Sequence, residues 1–139
     1  MTTFTDNVIR FRISNSVTTL SNSLKFDRRV VDLARTILGD LQLYLKCRTE
    51  LFLFATALFD MANAQSCLEI AEAEIGLLRQ HRIQRSSEYN EIELMAVNRA
   101  TDLCKQREAE TRAAYKHLEY RIQRLMERVQ NAESQTQSR

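Results

Sequence analysis

Proline is absent from the 139 residues, and glycine occurs only at Gly39 and Gly76. Turns draw on these two residue types. A fold of many short elements is therefore excluded, and a few long elements are expected. No glycine-rich loop exists, which excludes nucleotide binding through the familiar phosphate-cradling motifs. The three cysteines, Cys47, Cys67 and Cys104, are widely spaced and contain no CxxC pair. His81 and His117 stand at no metal-ligand spacing from them, and no Glu-x-x-His of the di-metal bundle type occurs. Neither histidine has a nucleophile at a recognisable spacing. Catalytic residues, metal ligands, cofactors and a small-molecule substrate are thus not expected. The acids Glu69, Glu72 and Glu74 read as a solvated face.

Charge of one sign is also missing. Lys and Arg number 20 against 18 Asp and Glu, a net +2, with a sequence pI of about 8.5. Nucleic-acid binders usually exceed a domain pI of about 9. The odd cysteine count fits free thiols in a reducing intracellular compartment, cytoplasm or nucleus. The first 25 residues have no secretory h-region. They carry Arg10, Arg12 and Lys25 against Asp6, with Phe4, Val8 and Phe11 on one helical face. That composition resembles a mitochondrial targeting segment, but an N-terminal arm docking on the rest of the chain is the preferred reading.

What the chain does contain is apolar periodicity. One stripe runs Val30, Ala34, Ile37, Leu41, Tyr44, Cys47, Leu51, Phe54, Leu58, Met61, Ala64, Leu68, Ala71, Ile75, Leu78. Steps of three and four keep one helical face dry. They predict either one helix to about His81, with Ser23 as its cap, or two helices meeting near Cys47–Glu50. Gly39 reads as a tolerated interruption. A second stripe runs Leu94, Val97, Thr101, Cys104, Glu108, Thr111, Tyr115, Leu118, Ile122, Leu125, Val129. It predicts a helix over roughly 88–131, polar in its middle. Ile83–Asn90 is the expected turn, with Ser86, Ser87 and Asn90 as cap candidates. Folding the stripes together pairs positions whose numbers total about 172.

The expected fold is all-α: an elongated antiparallel helical hairpin or three-helix bundle with coiled-coil character. Residues 1–22 form an N-terminal arm, 23–131 the hairpin or bundle, and 132–139 a disordered tail.

Leu51–Phe59 exceeds what a two-helix seam needs. Leu51, Phe54 and Leu58 lie on the seam face, but Phe52, Ala55 and Phe59 lie on a second face and Leu53 and Ala57 on a third. A helix apolar all round is covered all round. A membrane span is a poor alternative, since the run is shorter than about 20 residues and Asp60 follows it. These features predict a non-enzymatic structural or adaptor subunit that assembles with itself or with other helical proteins. Its expected interface comprises Leu51, Phe52, Phe54, Leu58, Phe59, Tyr115, Leu118, Ile122, Leu125 and Val129. The alternative is a peripheral binder of nucleic acid or anionic membrane. It would use a basic ridge of candidate anion-binding residues, His117, Arg121, Arg124 and Arg128.

Overall fold

A computed structural model describes residues 4–24, 28–85 and 91–137. These form four helices and no strand: α1 (Phe4–Leu24), α2 (Arg28–Gly39), α3 (Leu41–Arg85) and α4 (Glu91–Gln137). The chain divides into two compact units. Residues 1–62 and 116–139 form the first, and residues 63–115 the second.

The first unit holds the main core. Ile13 and Val17 of α1 meet Val30, Ala34, Ile37 and Leu38 of α2. Tyr44, Cys47, Leu51, Phe54, Ala57 and Leu58 of α3 complete it with Leu118, Leu125, Val129 and Ala132 of α4. Each large apolar side chain withdrawn from water contributes roughly 1.5–3 kcal/mol. Tertiary burial of this kind stabilises α1, whose serine- and threonine-rich sequence has little helical preference of its own. The N-terminal arm is a helix of 21 residues. Ser23 lies within it rather than capping the next helix.

Arg10 joins three helices in this unit. Its guanidinium on α1 donates to the Leu38 carbonyl near the end of α2. The same group lies over the Tyr44 ring of α3, 5.4 Å from the centroid. A cation is favoured at a helix C-terminus and over an aromatic face. Arg128 Nε of α4 donates to the Lys46 carbonyl of α3 at 3.0 Å.

The helix break falls at Asp40, not near Cys47–Glu50. The Asp40 carboxylate accepts from the amides of Gln42 at 3.0 Å and Leu43 at 3.3 Å. Its carbonyl accepts the first α3 bond, from Tyr44 N at 2.8 Å. This is an N-cap, and it starts a new helix within a stripe whose spacing is unbroken. Gly39 is not in a left-handed conformation, and a Cβ there would meet nothing within 4 Å. The capping side chain, rather than glycine's freedom, marks the boundary.

The second unit is built from 63–85 of α3 and 91–115 of α4. Its buried apolar residues are small: Ala71, Ala100 and Cys104. Thr111 Oγ1 donates to its own-helix Arg107 carbonyl at 2.8 Å and lies 3.4 Å from the Ala64 carbonyl of α3. Thr101 likewise bonds back to Val97, so the polar middle of the stripe is satisfied within α4. Ala64 lies against Thr111, and further along α3 Glu72 lies near Cys104, so the two segments run in opposite directions here. Lys46 opposite Arg128 and Ala64 opposite Thr111 give pair totals of 174 and 175, not 172.

The C-terminal stretch departs from expectation as well. α4 continues to Gln137, and Ala132 is 1% exposed in the core. No glycine or proline follows Asn131, and Ala132 anchors the start of the stretch expected to be a disordered tail. The cap candidates Ser86, Ser87 and Asn90 lie outside the described residues.

Two outcomes are expected. Asp40→Ala removes the cap and lowers unfolding free energy by about 1 kcal/mol, whereas Gly39→Ala raises it by about 0.4–1 kcal/mol; urea titration followed by circular dichroism reads both signs. Burial pushes the Cys47 thiol above its ordinary value of 9.0. Above that pH the unfolded chain loses the thiol proton while the folded chain keeps it, so stability falls as pH rises. Cys47→Ala should flatten that alkaline decline in a urea midpoint series, and an unchanged slope would contradict it.

Candidate interaction surface

The apolar run of α3 is divided between core and surface. Leu51, Phe54, Ala57 and Leu58 are at most 1% exposed. Phe52 and Ala55 are half-buried against the core. Leu53 is 38% and Phe59 63% exposed. The side chains of α1 cover part of the second face of α3 and leave a groove beside it. Arg12, Ile13 and Ser16 of α1 line that groove with Phe52, Ala55, Thr56 and Phe59 of α3. Its volume is about 290 Å³. The Thr56 hydroxyl donates to the Phe52 carbonyl at 2.9 Å, which satisfies the polar atom of this wall within its own helix. Arg12 is the charged member of the lining, so the groove pairs an apolar floor with a cationic rim.

The expected interface residues separate into two sets. Leu51, Phe54, Leu58, Leu118 and Leu125 are 0–1% exposed and Val129 is 5% exposed, all within the chain's own core. Their assignment to a partner interface is corrected: the partners of these side chains are the other helices of the same unit. Phe52 and Ile122 are half-buried on the edge of that core. Phe59 in the first unit and Tyr115, 49% exposed, in the second remain at the surface. Sequence periodicity identifies a seam but does not say whether the facing helix belongs to the same chain. Other exposed apolar groups that the stripes did not single out include Phe11, Leu45, Ile70, Leu77, Ile92, Met95, Tyr120 and Met126.

The basic ridge is largely engaged within the chain. Arg128 holds the Lys46 carbonyl. Arg124 pairs with Glu127 at 3.3 Å, one turn along α4. Arg121 lies over the Tyr120 ring at 5.2 Å, and its Nε is buried without a hydrogen-bond partner. His117 is exposed. The contacts of Arg121 and Arg124 lie along α4, whereas that of Arg128 reaches α3.

Within α3, the segment Leu41–His81 contains a stretch long and apolar enough to cross a membrane by length and composition, with mean hydropathy 1.3 and 22% of it buried. A mostly buried core helix passes the same test, whereas this stretch is buried only in part. Leu51, Phe54, Ala57 and Leu58 belong to such a core, and Asp60 is exposed beside them.

In the second unit, a carboxylate from α3 approaches a thiol and a carboxylate from α4: Glu72, Cys104 and Glu108. The sequence reading placed Glu72 on a solvated acidic face. The available signal was the four-residue spacing of Cys104 and Glu108, which puts both on one helical face. Comparison with known proteins gives no matching family, curated protein or solved structure.

Core and surface roles separate by substitution. Phe54→Ser should cost about 3–5 kcal/mol of stability. Phe59→Ser should stay within about 0.5 kcal/mol of the parent, because its ring is already in water. Thermal unfolding of both variants checks the split; comparable losses would place Phe59 in the core.

Proposed function

We propose that the chain is a non-enzymatic structural or adaptor subunit that associates with a second copy or with another helical protein. In this reading it is an antiparallel helical hairpin with coiled-coil character, to which α1 and α2 add a covering layer. The observation that carries the proposal is the 63% exposure of Phe59 at a groove with half-buried Phe52 and Ala55 beneath it. Clustered exposed apolar side chains rimmed by polar groups mark interaction surfaces. An aromatic at the edge of a preformed groove is a common anchor for a partner helix. Three free thiols fit an intracellular, reducing location for such a subunit.

The alternative, peripheral binding to nucleic acid or anionic membrane, has less support, because Arg124 and Arg128 are already occupied by Glu127 and the Lys46 carbonyl. The two readings differ in salt response. Phosphate binding weakens steeply with salt, whereas apolar association does not.

Light scattering across a concentration series supplies the test. The parent chain is expected to gain mass with concentration at both low and high salt. Phe59→Ser is expected to shift that gain to higher concentration while helix content stays unchanged. A parent chain that stays monomeric throughout, and equally so in the presence of helical proteins from its native source, would remove the basis for the adaptor reading.

A further inference from the structure

The exposed aromatic of the first unit stands between two opposite charges. On α3, Phe59 is 63% and Leu53 38% exposed. Arg12 of α1 lines the groove beside the Phe59 ring. Asp60 follows that ring in sequence and stands one helical turn beyond Thr56, which also lines the groove. Thr56 and Asp60 therefore share one face of α3, with Leu53 one turn before them. The patch is hydrocarbon with a guanidinium on its α1 border and a carboxylate on its α3 border. Both charged side chains are exposed. Among the described residues, neither forms an ion pair or a side-chain hydrogen bond.

Charges at the rim of an apolar patch select its partner. A patch that carries both signs complements itself, because a two-fold axis turns each border onto the opposite border of the other copy. The net charge of +2 puts little long-range repulsion between copies. We propose that the occupant of this surface is a second copy of the chain, docked about a two-fold axis at Phe59 with Arg12 of each copy against Asp60 of the other. This rests on the adaptor reading and narrows its two kinds of partner to one.

The two contributions differ in kind. Phe59 and Leu53 leave water against the other copy's groove, which supplies attraction without direction. The two charge pairs, related by the axis, fix the register. An exposed pair of opposite charges adds little affinity, whereas like charges forced together cost far more. Charge reversal is therefore the sensitive probe, and in a two-fold dimer one substitution enters twice. Arg12→Glu sets carboxylate against carboxylate at both pairs. Asp60→Arg sets guanidinium against guanidinium. A mixed dimer of the two variants contains opposite charges at both pairs.

Sedimentation equilibrium of the full chain at low ionic strength, where surface charge is least screened, supplies the test. The parent is expected to dimerise. Arg12→Glu and Asp60→Arg are each expected to weaken self-association by about tenfold or more. Their equimolar mixture, and the double variant alone, are expected to recover dimers to within about threefold of the parent affinity. An affinity tag on one variant shows that the recovered dimers contain both. Circular dichroism checks helix content. If a reversal unfolds the chain, the double-mutant cycle of Arg12→Ala and Asp60→Ala decides, and zero coupling overturns the pairing. Parent dimers unmoved by both reversals, or variants that mixing does not rescue, would overturn the pairing and leave the adaptor reading standing. So would a parent that stays monomeric yet binds a purified helical protein. A parent that does neither removes both.

Discussion

Leu51–Phe59 sets the terms for the first unit. Eight of its nine residues are apolar and they point to every side of α3, so no single neighbouring helix can cover them. The unit responds with three further segments. α4 takes the face of Leu51, Phe54 and Leu58 with Leu118 and Leu125, while α2 extends the same core and α1 adds Ile13 and Val17. Each added helix loses conformational freedom on docking, and the burial of these side chains offsets that loss. Coverage stops short of Phe59. The face that α1 reaches only in part is the one where the groove lies.

Arg10 and Asp40 make this covering specific. Apolar burial alone would let α1 slide along its neighbours, because hydrophobic contact is not directional. Arg10 fixes the position by one hydrogen bond to the Leu38 carbonyl and one contact with the Tyr44 ring. Both partners flank the α2–α3 junction. That junction exists because the Asp40 side chain satisfies amides that a continuous helix would have paired otherwise. A short cap and a long cation thus cooperate at one corner: the cap creates the helix end, and the cation occupies its carbonyl.

Much of this was legible in the residues, and the failures have physical causes. Every position of the stripe from Val30 to Leu78 is buried or half-buried, since three- and four-residue steps report directly on a dry face. The Asp40 boundary was missed because a cap acts through a side-chain hydrogen bond that periodicity does not encode. Leu118 and Leu125 were assigned to a partner because a seam looks the same whether its other half is internal or external. The cluster around Cys104 was missed through register. A pair total of 172 places Glu72 opposite Ala100, one turn from the cysteine it approaches. A register difference of about one turn was enough to separate three side chains that the fold brings together.

The two units obtain order by different means. Tyr44, Phe54, Leu51 and Leu58 make the first unit self-sufficient in apolar burial. The second buries two alanines and a cysteine, while Ile70, Leu77, Ile92 and Met95 remain exposed. At roughly 25 cal/mol per Å², small buried side chains leave the helices of the second unit with little mutual attraction, and exposed ion pairs such as Arg107–Glu110 add at most a minor increment. Segments of low local stability are where ligands and partners have the greatest leverage, because any group that binds the ordered form adds its full binding free energy to a small starting value. The exposed aliphatic side chains fall in this unit for the same reason. The polar middle of the second stripe, Thr101 to Thr111, denies α4 an apolar core there and leaves neighbouring hydrocarbon unburied.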